Sequence, residues 1–380
     1  MAVNSLTRDD LRTLANVHPE RGRVLSVFLN LDPTEFGSAP ARATAINSVL
    51  NEADREIEHH DDLEPDELMA LREDLARVRS ELGRDDLAIN GTRGVAVFAC
   101  GPAGVFSALG VSEPVRTHAV VDRTACLEPL VAPAHQQQWC VLLANRRSAR
   151  VFRGTGHVLG ETDRIEDDVH RQHRQGGWSQ ARYQRSVDKE VEDHLKHVAA
   201  VVFDLHKHHG FDALLLGAPE ETVSDLEAAL HPYLRERICG HLQIDVEHAS
   251  GDDVKRVAGA AILAHERNRE TELLERLAER LGRNARAASG LTDVLTALNE
   301  GRVEILLIRE GLHEPGSMDP RTGMLARENA PTADGTPAVP VADVAEESMQ
   351  KAIEQNAEIV VLRDPEALVE HGGIAALLRF

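Results

Sequence analysis

The sequence is poor in the residues that build disulfide-rich or zinc-bound proteins. Its 380 residues include four cysteines, Cys100, Cys126, Cys140 and Cys239, and no two of them form a CxxC pair. Each lies in or beside an apolar run, so we predict buried reduced thiols and neither a disulfide framework nor a zinc site. No apolar run is long enough to span a bilayer, and the first residues show no basic-then-apolar signal. These absences predict a cytoplasmic protein without a membrane anchor.

Net positive charge is also missing. The formal charge is −21, from 63 acidic and 42 basic residues. A surface of this sign repels a polyanion, which argues against DNA binding and confines any RNA contact to local basic patches. A hydrophobic content of 42% with 28% charged residues is typical of a globular protein.

Apolar runs alternate with amphipathic helical patterns along the whole chain. This alternation predicts the α/β class, with mixed sheets that carry helices on both faces. The predicted strands include 24–31, 94–100, 104–111, 118–131, 212–219 and 241–249. The length exceeds that of one ordinary core. We predict three α/β domains, over residues 1–133, 134–284 and 285–380.

A basic stretch with two adjacent glycines interrupts the central domain. Residues 175–185 read QGGWSQARYQR, and no acidic residue occurs between His170 and Ser186. Gly176 and Gly177 have no Cβ, so their backbone can approach another molecule closely. After Ser186 the apolar spacing predicts an amphipathic helix packed on a core. The stretch is either an ordinary polar surface loop or a basic tip on a rigid stem.

The order of residues in this stretch resembles the catalytic loop of the archaeo-eukaryotic peptide chain release factors. The resemblance is carried by Gly176, Gly177, Ser179, Arg182, Tyr183 and Arg185. The family's loop reads Gly-Gly-Gln, whereas this chain has Trp178 at the glutamine position and Gln180 two residues later.

Other segments extend the resemblance, in the order that the family has them. They are 24–33, 139–154, 299–312 and 371–380, the last two being similar to the third domain of the release factors and of Pelota. The resemblance implies a central RNase H-like domain and a C-terminal αβα domain like that of a ribosomal protein. It is closest to bacterial branches of the family, and no codon-reading motif of the eukaryotic factors occurs between residues 20 and 133.

The resemblance implies a protein that binds the ribosomal A site and promotes codon-independent hydrolysis of peptidyl-tRNA on stalled ribosomes. The alternative is a hibernation factor that occupies the same place without catalysis. The implied catalytic residues are Gly176, Gly177, Trp178 and Gln180. The implied RNA-binding residues are Arg171, Arg174, Ser179, Arg182, Tyr183 and Arg185. The implied partners are rRNA, peptidyl-tRNA and a translational GTPase that contacts the C-terminal domain, and no cofactor is expected.

Three other chemistries receive weaker support from the residues. His194 and His197 can share a helix face, but no carboxylate or cysteine completes a zinc signature, so no metal site is predicted. Ser179 lies in no nucleophile-elbow context, which disfavours a Ser-His-Asp hydrolase. The glycines around Gly154 predict a β-hairpin turn and not a dinucleotide site, because no helix follows them. A stress-associated RNA-binding protein outside translation is a further alternative.

Overall fold

The computed structural model describes residues 4–19, 21–60, 63–83, 92–134, 137–155, 158–167, 180–283, 285–328, 337–364 and 366–380. The chain forms two compact units. Unit 1 combines Met1–His135 with Glu272–Phe380, and unit 2 is Gln136–Thr271. Mixed sheets and helices alternate in both, which confirms the predicted α/β class. The division of unit 1 into separate first and third domains stays a prediction. In the described part of the chain, no helix is long and apolar enough to cross a bilayer.

The first part of unit 1 is a five-stranded sheet in the order β1-β4-β3-β2-β5. Its elements are β1 Asn4–Ser5, α1 Arg8–Ala15, β2 Val24–Asn30, α2 Pro33–Phe36, α3 Ala39–His59, α4 Pro65–Leu82, β3 Gly94–Cys100, β4 Val105–Val111, β5 His118–Asp122 and α5 Glu128–Ala134. Successive side chains of a strand point to opposite faces. On one face of β2, Leu25, Val27 and Leu29 accordingly pack with α3 and α4. On the other face, Val24 and Phe28 pack with α1 and α5.

Unit 2 is built on a second five-stranded sheet in the order β10-β9-β6-β7-β8. Its elements are β6 Trp139–Ala144, β7 Ser148–Thr155, β8 Val158–Glu166, α6 Gln180–His209, β9 Ala213–Gly217, α7 Glu220–Ala229, α8 Pro232–Arg235, β10 Ile238–His241 and α9 Gly251–Gly282, whose end belongs to unit 1. The first three strands are antiparallel, and β9 and β10 continue parallel to β6. This order, with α6 between the third and fourth strands, is the predicted RNase H-like topology.

The two faces of the unit 2 sheet bury separate cores. One core packs α6 and α7 on Leu142 and Leu214, and the other packs α9 on Trp139 and Val141. The fully apolar sequence of β6 follows from this position, since both faces of the strand are covered.

The last part of unit 1 contains a four-stranded sheet, β11-β17-β12-β16, and a three-stranded sheet, β14-β13-β15. Its elements are β11 Ala287–Ser289, α10 Leu291–Asn299, β12 Val303–Arg309, β13 Gly316–Met318, β14 Leu325–Arg327, β15 Val339–Val341, α11 Val344–Glu354, β16 Glu358–Leu362 and β17 Ile374–Leu378. The end of α9 packs on Ile305 and Leu307, whereas α10 and α11 pack on Leu306 and Ile308. The four-stranded sheet therefore lies between helices, as the αβα prediction requires.

The prediction of one strand over 118–131 is wrong beyond Asp122, because helix α5 begins at Glu128. The Glu346 carboxylate of α11 accepts hydrogen bonds from the backbone N–H groups of Leu127 (2.5 Å) and Glu128 (3.1 Å). These groups have no partner inside the helix, and Pro129 is tolerated in a first turn. A carboxylate more than two hundred residues away thus stabilises the start of this helix.

The predicted strand over 241–249 is also wrong. Strand β10 ends at His241, and the Asp245 carboxylate accepts hydrogen bonds from the backbone N–H groups of Glu247 (2.9 Å) and His248 (3.1 Å). This local turn competes with strand pairing, as Asp side chains commonly do.

Burial of Glu346 makes the stability of unit 1 depend on pH. Burial raises the pKa of Glu346 to about 8, against the opposing hydrogen bonds from Leu127 and Glu128. An exposed glutamate in the unfolded chain releases its proton near pH 4.3. The folded state therefore binds more protons between these values, and the free energy of unfolding falls as pH rises from about 4.5 to 8, by at most about 1.4 kcal/mol per pH unit.

Replacing Glu346 by glutamine should make this pH dependence shallower, because the variant has no proton to release. Urea unfolding midpoints at pH 5.5, 6.5 and 7.5 would measure the slope. Glu300→Gln is the matched control, since the Glu300 side chain is about half exposed, 52%, and pairs with Arg302 at the surface. Equal slopes for wild type and Glu346→Gln would contradict the prediction.

Candidate functional site

The predicted catalytic stretch connects strand β8 to helix α6 in unit 2. Residues 168–179 lie outside the described residues, and with them the predicted site residues Arg171, Arg174, Gly176, Gly177, Trp178 and Ser179. The described chain stops at Asp167, directly after β8, and resumes at Gln180, the first residue of α6. The part of the site that the structure describes is therefore the chain on either side of this connection, at Asp167 and at the start of α6.

Four of the predicted site residues belong to helix α6, which begins at Gln180, seven residues before the first apolar position used to predict it. Gln180, Arg182 and Tyr183 lie in its first turn, and Arg185 follows in the second, where its side chain is exposed. No glycine or proline occurs between Gln180 and Ser186, and alanine, glutamine and arginine favour helix.

Two histidines of α6 contact the carboxylate at the other end of the connection. The Nδ1 atom of His194 lies 2.6 Å from Oδ2 of Asp167, and the Nδ1 atom of His197 lies 3.0 Å from the same oxygen. Burial opposes ionisation of Asp167, but the hydrogen bonds from His194 and His197 hold its pKa below the usual value. Asp167 also donates its backbone N–H to the carbonyl oxygen of Arg147 (2.9 Å). We name Asp167, His194 and His197 the loop-base cluster.

His194 occupies an apolar position of the helix. Its side chain is fully buried, 0% exposed, while that of His197 is 54% exposed. Neighbouring positions of α6 on the same side, Val187, Leu195 and Val198, belong to the buried interior. Among the described residues, no atom forms a hydrogen bond with Nε2 of His194. A buried polar atom without a partner costs about 1–3 kcal/mol, so an aliphatic residue here would favour stability.

The loop-base cluster is distant from the start of α6. His194 comes fourteen residues after Gln180, which is roughly 21 Å along a helix that rises 1.5 Å per residue. The two ends of the 168–179 connection are thus held at different levels of one long helix.

The cluster was only partly visible in the sequence. The i, i+3 spacing of His194 and His197 indicated a shared helix face, but nothing local pointed to Asp167, which is twenty-seven residues before His194. In the described residues no group of three or more histidine, cysteine, aspartate or glutamate side chains is arranged to hold a metal ion.

The arginines of the β6–β7 turn and of β7 are engaged with groups from elsewhere in unit 2. Arg150 is buried and binds both carboxylate oxygens of Glu161 (3.1 and 2.6 Å). Arg147 forms an ion pair with Glu247, and Arg153 donates to the carbonyl oxygen of Gly210 (3.2 Å). These side chains form a structural network, although the sequence around them is free of acidic residues.

Comparison with known proteins confirms the predicted family resemblance. The model of "Bacterial archaeo-eukaryotic release factor family 10" matches residues 127–280. A Pelota homolog of Natronomonas pharaonis is 30% identical over 274 residues, which cover 68% of this chain and 66% of that protein. The chain belongs to the bacterial archaeo-eukaryotic release factor and Pelota-like family.

Solved structures of release factors and Pelota proteins are also similar to this release-factor-like protein, at low identity. A ribosome-bound archaeal Pelota, from a model with ABCE1, has a TM-score of 0.44 and 17% identity, with 100% of this chain and 95% of that chain covered. Dom34 of S. cerevisiae has a TM-score of 0.42 and 11% identity over 76% of this chain and 79% of that one. The archaeal termination factor aRF1 has a TM-score of 0.27 and 16% identity over 99% of both.

The family model matches all of unit 2 of this release-factor-like protein. Residues 127–280 include strands β6 to β10, helix α6, the loop-base cluster and the whole 168–179 connection. Both the glycine pair and the loop-base cluster thus belong to the family-matched part of the chain.

Proposed function

We propose that this protein binds the ribosomal A site and promotes codon-independent hydrolysis of peptidyl-tRNA on stalled ribosomes. The observation that carries the proposal is the Gly176-Gly177 pair, which comes between β8 and α6 in the sequence, followed by the Arg-aromatic-x-Arg sequence at the start of α6. Both lie within the family-matched segment. In the proposed complex this connection reaches the acceptor end of the tRNA in the peptidyl transferase centre.

The proposed reaction is acyl transfer from the tRNA ester to water. Water attacks the ester carbonyl through a tetrahedral oxyanion, which requires a positioned nucleophile and a donor aimed at the developing charge. Gly176 and Gly177 let the backbone pass close to the terminal nucleotides. The backbone N–H of Trp178 supplies the donor, and Gln180 orients the attacking water.

The remaining site residues bind RNA in this proposal. The rRNA phosphates are contacted by Arg171, Arg174, Arg182 and Arg185. Ser179 donates a hydrogen bond to the RNA backbone. Tyr183 stacks on an unpaired base, as aromatic side chains do in single-stranded RNA recognition. The acidic remainder of the surface, with the net charge of −21, keeps this contact local.

The side chain of Trp178 supports a second candidate function, a hibernation factor that occupies the A site without catalysis. Tryptophan has no side-chain carboxamide to orient water, and its side chain is bulkier than the glutamine of the family's loop. A translational GTPase that contacts the last domain stays a prediction for either function.

Peptide release from ribosomes stalled on an mRNA without a stop codon tests the two functions. Purified protein should release the labelled nascent peptide at a rate that rises with protein concentration and then saturates. Binding to vacant ribosomes without any release would select the hibernation factor. If the protein neither released peptide nor co-sedimented with ribosomes, both proposed functions would be refuted.

A further inference from the structure

The loop-base cluster has a defined pattern of hydrogen-bond donors. A carboxylate oxygen can only accept, so each Nδ1 atom that approaches Oδ2 of Asp167 must carry its proton. For buried His194 this places a proton on Nδ1, while Nε2 forms no hydrogen bond with the described residues. His197 donates from the exposed side, at 3.0 Å.

Packing alone does not explain why a histidine occupies position 194. An aliphatic side chain would fill the same buried position between α6 and the sheet and would leave no unpaired nitrogen. The histidine adds a hydrogen bond between the fourth turn of α6 and Asp167, the last described residue before the 168–179 connection. Asp167 also donates its backbone N–H to the carbonyl oxygen of Arg147, so Asp167 links helix α6 to the turn before β7.

We propose that the loop-base cluster positions the catalytic connection by fixing the point at which the chain leaves β8. Asp167, His194 and His197 are positioning residues, since their contacts with one another act on the chain that leaves β8. The inference rests on the proposed function. Asp167 is held at the level of His194, roughly 21 Å along α6 from Gln180. Fixing the point from which a chain segment starts lowers the conformational entropy that the segment loses when it is ordered.

Two substitutions at His194 separate positioning from simple packing. His194→Leu fills the buried site with apolar atoms and removes the donor to Asp167. His194→Asn keeps an N–H donor near the place of Nδ1 but leaves part of the site unfilled. We therefore expect the leucine variant to have the higher thermal unfolding midpoint of the two variants and the slower peptide release.

The expected size of the effect follows from loss of positioning at the reacting centre. His194→Leu should lower the saturating rate of peptide release by at least about tenfold, with little change in ribosome affinity, whereas His194→Asn should stay within about threefold of wild type. The matched control is Asp204→Asn, which removes the exposed contacts of Asp204 with Lys207 (3.0 Å) and His208 (3.5 Å) on the same helix. The control should release peptide at the wild-type rate.

Hydrogen exchange of the free protein provides a readout that does not depend on the ribosome. The backbone amide of Asp167 should exchange faster in His194→Leu than in wild type, His194→Asn or the Asp204→Asn control. Equal exchange at Asp167 in both His194 variants and wild type would overturn the inference, whatever the activity. If wild type neither binds ribosomes nor releases peptide while exchange changes as expected, the proposed function fails and the cluster still fixes the chain. Wild-type release by His194→Leu would leave the function intact and refute the positioning role.

Discussion

Replacement of Gly176 and Gly177 by alanine is expected to slow peptide release from stalled ribosomes by roughly 100-fold or more. Two methyl groups would stand where the backbone must approach the terminal nucleotides of the tRNA, and alanine disfavours the positive φ values that glycine adopts freely. A displacement of about 1 Å at a reacting centre is enough for a loss of this size. The release rate at saturating protein, with ribosome binding measured in parallel, would show it.

The control for this variant is Gly160→Ala. An added Cβ at Gly160 would meet no heavy atom within 4 Å, so release should be unchanged. A double-alanine variant that releases peptide at the wild-type rate would refute the catalytic proposal.

Trp178→Gln, which restores the family's Gly-Gly-Gln order, distinguishes the two proposed functions. It should raise the rate if glutamine orients water, and it should create release where wild type shows none if the protein is a hibernation factor.

The second large effect is expected at Gly154, in the β7–β8 hairpin that leads to Asp167. Gly154 has φ +147°, and a Cβ added there would lie 1.8 Å from the carbonyl oxygen of Val158. The backbone of the hairpin must shift to admit it, so Gly154→Ala should destabilise unit 2 by roughly 3 kcal/mol, from backbone strain and overpacking together.

Gly160→Ala in the same hairpin is again the matched control and should change stability by less than about 1 kcal/mol. Denaturant unfolding followed by tryptophan fluorescence would report the difference, because Trp139 is fully buried in unit 2. Equal midpoints for the two variants would show that the hairpin tolerates a side chain at Gly154. The glycine serves hairpin geometry here, as the sequence predicted for this turn.

The predicted catalytic stretch, residues 175–185, was only partly described correctly by its sequence pattern. The glycine pair, the arginines and the helix after Ser186 were recognised from residue types and spacing alone. The earlier start of α6 at Gln180 was not, because the apolar periodicity that indicates a helix begins only at Val187. Polar helix formers at the exposed start of a helix leave no periodic signal.

The sequence by itself determined the α/β class, the strands that are apolar throughout, such as Gly94–Cys100 and Ala213–Gly217, and the amphipathic helix after Ser186. Burial of an apolar side chain depends mainly on that side chain, so its pattern can be read locally. Only the tertiary structure decided that α5 begins at Glu128, that Arg150 is buried against Glu161, and that His194 holds Asp167. A polar group is satisfied by whichever distant partner the folded chain brings within hydrogen-bond distance, and local sequence does not contain that partner.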